Sequence, residues 1–198
     1  MGKPVAAPFA KRIGTNFFRR DAVTVARDLI GTTLKFRGAG GVIVEAEAYA
    51  ESDPASHSFQ GRRTPRNSAM FGPPGTAYIY RSYGVHWCLN FVCGDEGIGS
   101  AVLVRALEPV WGVAAMHKHR KTDDVRNLCS GPGKLCQALG ITSDWNGRSL
   151  LRAPFVLQSS RQTVTLLQGP RIGITRAADY PWRFGFKGSK FLSRPFPA

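Results

Sequence analysis

The chain has 198 residues, with 27 Lys and Arg against 13 Asp and Glu and a formal net charge of +14. That length suits one domain with a full core, and basic residues spread through the chain favour a polyanionic partner, nucleic acid above all. No run approaches a membrane span, and the spacing of Cys88, Cys93, Cys129 and Cys136 fits no zinc signature, so a spanning protein and a zinc module are set aside.

In chain order, residues 1–14 read as a loose basic arm and 15–198 as a single domain. Asp21 to Ile30 reads as a helix: Asp21 can cap it, Val25 and Leu29 fall four apart, and Gly31 stops it. Thr32 to Phe36 and Gly41 to Ala50 read as strands joined through Arg37-Gly38-Ala39-Gly40. Strict alternation in the second strand sets Ile43, Glu45, Glu47 and Tyr49 on one face and Val42, Val44, Ala46 and Ala48 on the other. Glu51 to Gly75 is a long loop carrying Arg62, Arg63 and Arg66, and loops of that length in compact domains are usually functional.

Thr76 to Cys93 returns to strand character, bent at Gly84, and Ala101 to Leu107 is a further strand. Pro109 to Arg120 reads as a helix, with Trp111 and Ala115 four apart. A second short helix opens at Ser130-Gly131-Pro132, with Ser130 as its cap, and ends at Gly140. Strands follow at Arg171 to Ile174 and near Phe184 to Phe186. The fold class expected is α+β: one compact domain with a curved, mostly antiparallel β-sheet and surrounding helices.

Chemistry concentrates on three apolar strands. A carboxylate such as Glu47 on one of them is expensive to bury unpaired, so it needs a partner, a task, or both. An arginine such as Arg105 would keep it ionised and oriented, and an oriented carboxylate can take a proton from water. Tyr78 and Tyr80 share a face and Tyr83 precedes the Gly84 bend; tyrosines so placed form either a packed strand or a stacking platform for bases. Ser130 and Lys134 at a helix N-terminus can grip a phosphate or simply cap. Glu45, Glu47, Glu51 and Asp53 could hold Mg²⁺ as in a nuclease, but further carboxylates for a two-metal site are not evident, and no metal is assigned.

At these residues the chain resembles the alkyladenine (3-methyladenine) DNA glycosylase family, and its bacterial members in particular. The resemblance rests on Val44-Glu45-Ala46-Glu47-Ala48-Tyr49, His57-Ser58, Thr64-Pro65-Arg66-Asn67, Tyr78-Ile79-Tyr80, Tyr83-Gly84, Cys88-Leu89-Asn90, Leu103-Val104-Arg105-Ala106-Leu107-Glu108-Pro109 and Cys129-Ser130-Gly131-Pro132-Gly133-Lys134, in the family's order. It implies a monofunctional, cofactor-free enzyme that flips a damaged purine (3-methyladenine, 7-methylguanine, ethenoadenine or hypoxanthine) out of double-stranded DNA and hydrolyses its glycosidic bond. By motif match Glu47 would activate water and Arg105 would orient it. Tyr49, His57 and Tyr80 would sandwich the base, Asn90 would disfavour the amine of guanine, and Leu103 would shape the floor. Tyr83 would fill the duplex gap, while Arg62, Arg66, Ser130 and Lys134 would hold phosphates. The spacing from Tyr49 to His57 is one residue shorter than in vertebrate members, and Val85 stands where they carry Met; both bear on lesion range.

The expected setting is a bacterial cytoplasm, at the nucleoid, with the protein monomeric and off the membrane. The alternative is a non-catalytic binder of damaged or abasic DNA; a metal-dependent nuclease is a third reading.

Overall fold

The computed structural model describes residues 11–160 and 163–197. Among them the strands are β1 (Thr33–Phe36), β2 (Ala39–Tyr49), β3 (Ala77–Ser82), β4 (His86–Cys93), β5 (Ser100–Trp111), β6 (Phe155–Gln158), β7 (Leu166–Gly169) and β8 (Arg183–Phe186). They form one antiparallel sheet in the order β3-β4-β5-β2-β1-β6, with β8 pairing both β2 and β7. The helices α1 (Thr15–Phe18), α2 (Ala22–Leu29), α3 (Val113–Arg120) and α4 (Pro132–Leu139) complete an α+β fold, as expected.

The local signals of the sequence act as their chemistry dictates. Asp21 caps α2 by accepting from Thr24 N–H at 2.9 Å, and the helix buries Val25, Ala26 and Leu29 in the core beneath β2. Arg37 and Gly38 both take positive φ, 50° and 85°, giving the tight β1–β2 hairpin. The principal core lies between the helices and one sheet face, where Ile43, Ala46, Ala48, Val102, Val104 and Leu107 meet Leu29, Leu135 and Leu139.

Four expectations are corrected. Strict alternation fails in β2: Ile43 pairs with Leu107 and Glu45 with Ala106, leaving Val44 as the extra residue of a bulge. Ile43 therefore joins Ala46 and Ala48 in the core, and only Glu45, Glu47 and Tyr49 keep their shared face. Pro109 to Trp111 extend β5, because Gly41 and Gly40 of β2 pair with Pro109 and Trp111; α3 begins only after Gly112 turns at φ 65°. Arg171 to Ile174 form no strand; their polar groups are spent on β2 and the long loop instead. Gly131, at φ 145°, and not Ser130, occupies the cap position of α4.

Residues 1–10 of the expected arm lie outside the described residues. Of the remainder, Arg12 bridges to Gln158 and Ile13 N–H donates to Leu157 O at 3.0 Å, so this stretch extends the sheet beside β6.

Candidate active site

β2 and β5 position the acid and the base partner through two consecutive irregularities. Besides the Val44 bulge, Glu45 pairs with Ala106 while Ala46 pairs with Val104, so Arg105 is the extra residue on β5. Bulges re-aim side chains, and here they bring Arg105 onto the face of Glu45 and Glu47. Arg105 Nη1 donates to Glu47 Oε2 at 3.1 Å and Nε to Glu45 Oε1 at 3.1 Å. Burial alone would lower the Arg105 pKa, but the Glu47 and Glu45 charges outweigh it and the value is raised, so the guanidinium stays cationic.

Glu47 is fully buried and held at both oxygens. Oε1 accepts from Ile172 N–H at 2.8 Å, and Oε2 accepts from the Tyr49 hydroxyl at 3.0 Å as well as from Arg105. A carboxylate offers about four lone-pair sites, so one on Oε1 stays open. Burial, followed by the adjacent Glu47 charge, pushes the Tyr49 phenol well up, which keeps it a donor.

These groups back a cavity of about 720 Å³, within the range of small-molecule sites. Its lining brings together Tyr49, His57, Tyr80, Tyr83, Asn90, Leu103, Arg105 and Arg66, residues that lie far apart in the sequence. Glu47 is not in that lining; it sits behind Tyr49, Arg105 and Ile172, which are. Tyr80 meets His57 edge to face, with centroids 4.7 Å apart, and His57 Nδ1 shares a 2.9 Å hydrogen bond with the Tyr78 hydroxyl. Burial and then Arg66 lower the His57 pKa, so this ring is neutral at pH 7. The Asn90 amide is pinned by donating to Tyr78 O at 3.1 Å.

The cavity mouth is cationic. The Arg66 guanidinium lies 5.3 Å from the Tyr80 ring centre, and the exposed Arg194 joins the lining. Tyr83 projects beyond the rim, 89% exposed, at the tip of the β3–β4 hairpin. Arg62 is exposed outside the lining, while Lys134 turns back to Asn127 Oδ1 at 2.9 Å and Ser130 Oγ at 3.4 Å. The carboxylates considered for Mg²⁺ are dispersed: Asp53 is clamped by Arg171, and Glu51 accepts from Gly99 N–H at 3.0 Å.

Residues 16–190 match the methylpurine-DNA glycosylase (MPG) family. The chain belongs to that family. Relatives that carry the name "Putative 3-methyladenine DNA glycosylase" include one from Rhodopseudomonas palustris strain CGA009, 63% identical over 91% of this chain and 87% of its own. Another, from Nitrosospira multiformis, is 58% identical over 90% of this chain and 92% of its own. A third, from Agrobacterium fabrum, is 54% identical over 95% of each. This is a DNA glycosylase, an enzyme of DNA repair, as the motifs implied.

For this member of the methylpurine-DNA glycosylase family, sequence reasoning missed three contributors to the site and left Tyr78 open between packing and stacking. Tyr78, which shares its face with Tyr80 as expected, serves to anchor His57. Ile172 acts through its backbone N–H, which no side-chain pattern advertises. Arg171, with a fully buried side chain, pairs with Asp53 and lies 4.7 Å from the Tyr49 ring centre, bracing that ring from a segment read as a strand. Arg194 reaches the mouth from near the C-terminus.

Proposed function

We propose that this glycosylase flips alkylated or deaminated purines (3-methyladenine, 7-methylguanine, ethenoadenine, hypoxanthine) from double-stranded DNA and hydrolyses the N-glycosidic bond with a water activated by Glu47. The observation that carries the reading is one carboxylate, fixed by Arg105, Tyr49 and Ile172 N–H yet keeping an open lone pair, directly behind an aromatic-walled cavity. Catalytic hydrogen bonds often tighten only once substrate is bound, so a water at the cavity floor completes the arrangement.

Glu47 takes the proton of that water as its oxygen bonds to the sugar C1′. The bond from C1′ to the purine nitrogen breaks, and its electron pair leaves with the base. The nearby negative charge stabilises the oxocarbenium character of the transition state, as carboxylates do in sugar hydrolysis. Purines cationic through 3- or 7-methylation leave without further protonation. With water rather than an amine as nucleophile, the abasic strand remains intact.

Around this centre, Tyr49, His57 and Tyr80 hold the base, Asn90 and Leu103 select it, and Tyr83 fills the gap in the duplex. Arg62, Arg66, Ser130 and Lys134 contact phosphates, and the basic surface makes binding salt-dependent. The protein acts as a monomeric single domain over residues 15–198, with no cofactor, in a bacterial cytoplasm at the nucleoid.

The test is base release from a labelled duplex carrying one hypoxanthine, ethenoadenine or methylated purine, in EDTA, with and without alkali. Strand breaks only after alkali, lost in Glu47→Gln with lesion binding retained, are expected. Tight lesion binding without release from any of these duplexes would favour a DNA binder, and comparable turnover in Glu47→Gln would refute the role of that residue.

A further inference from the structure

Glu45, the second carboxylate of β2, is fully buried and gathers four donors from distant parts of the chain. Its Oε1 accepts from Arg105 Nε at 3.1 Å, Arg183 Nε at 2.8 Å and the Ser193 hydroxyl at 2.8 Å, and its Oε2 accepts from Ser193 N–H at 2.5 Å. Three of the four donors crowd Oε1, and Oε2, with its single donor, is buried from solvent. What this cluster does is tie Arg105 to a segment 88 positions further along the chain.

The polarity of the link is fixed by its ends. A carboxylate only accepts and a guanidinium only donates, so the Ser193 hydroxyl gives its proton to Glu45 and accepts from Arg105 Nη2, at 3.3 Å. Arg105 is thereby held on three edges: Nε by Glu45, Nη2 by Ser193, and Nη1 by Glu47. Such a planar fork, anchored at three points, cannot rotate without breaking a charge-assisted bond.

The segment that delivers Ser193 is itself built in. Arg183 donates to Arg194 O at 2.5 Å and to Pro195 O at 3.3 Å, and its guanidinium lies 3.9 Å from the Phe196 ring centre. Phe196 packs over Gly185, where an added Cβ would come within 2.5 Å of the ring.

We propose that Ser193 is a positioning residue for Arg105, with Glu45 as their shared anchor, so that the C-terminal segment is a working part of the catalytic site. The proposal rests on the excision reading above. Preorganised groups aimed at the reacting atoms gain their effect from being immobile, and loosening one anchor lets Arg105 swing away from Glu47.

The experiment measures single-turnover base release and lesion-duplex affinity for the wild type, Ser193→Ala, Ser193→Thr, and Ser193→Ala in an Arg105→Gln background. For Ser193→Ala the expected result is a rate about 10-fold or more lower with affinity within about twofold, on the scale of a misplaced catalytic group. Ser193→Thr, which keeps the hydroxyl, releases base at near wild-type rate. In the Arg105→Gln background the Ser193→Ala effect disappears, because the two act as one unit. A wild-type rate in Ser193→Ala overturns the positioning role alone, as does an undiminished Ser193→Ala effect without Arg105. Should Arg105→Gln fail to fold, the threonine variant decides: a rate as low as that of alanine overturns the proposal. No release by the wild-type protein overturns the excision reading and the positioning role together.

Discussion

Tyr83 offers a clean separation of folding from function. It is 89% exposed at a hairpin tip, with φ 49°, followed by Gly84 at φ 69°. A ring this exposed contributes little to stability, so Tyr83→Ala should change folding free energy by no more than about 0.5 kcal/mol. Tyr83→Gly should do slightly better than the wild type: relief of left-handed strain gains about 1–2 kcal/mol, offset by about 0.5–1 kcal/mol of glycine entropy. Filling the vacated stack is worth about 1–3 kcal/mol per base, which at 1.36 kcal/mol per decade is about a 5- to 150-fold change in the flipping equilibrium. Single-turnover release from a hypoxanthine duplex should fall by that factor in Tyr83→Ala, while release from the same strand left unpaired stays within about twofold. Equal losses on both substrates, or an unchanged duplex rate, would refute gap filling.

Arg66→Ala should weaken duplex binding alike for every lesion and reduce the slope of log K against log salt by about 1, as loss of one phosphate contact requires; an unchanged slope removes Arg66 from the phosphate set. His57 has its pKa lowered from 6.5 by burial and by Arg66. The unfolded chain therefore binds that proton first, so stability is full above pH 6.5 and is lost as pH falls through the window beneath it. Melting temperature should decline more steeply from pH 7 to pH 5 in the wild type than in His57→Asn, and parallel curves would contradict this. Gly185→Ala drives a Cβ to 2.5 Å from the Phe196 ring; overpacking of about 1–3 kcal/mol should lower Tm by about 2–12 °C, with partial recovery on adding Phe196→Ala.

Local chemistry was legible in the sequence wherever neighbours in the chain decide the outcome. Asp21 three residues before Thr24, and the Arg37-Gly38 turn, carry their own geometry. The partnership of Glu47 with Arg105 was legible for another reason: a carboxylate and a guanidinium on apolar strands have few other ways to be buried. What stayed hidden depends on pairing between distant segments. Pro109 to Trp111 has a helical spacing that yields to the β2 ladder, and the Val44 bulge exists only because β5 opposes it. The Ile172 N–H and Ser193 reach the carboxylates across more than a hundred positions, through contacts that no periodicity encodes.

The strand that follows the Val44 bulge also restricts how this site can diversify. Val44 itself is the spare residue, since without it Ile43 still points inward and Glu45 outward, whereas losing Ala46 would set Glu47 and Tyr49 on the face opposite Glu45. Inserting two would keep the face but carry Glu47 about 7 Å along the strand, past Leu103 and out of reach of Arg105. Between Glu45 and Tyr49, then, neither lineage nor engineer can change the length of the chain without dismantling the centre. Room for altered lesion range lies in the loop from Glu51 to Gly75 and in the β3–β4 hairpin, where length can vary while the ladder holding the carboxylates stays in register.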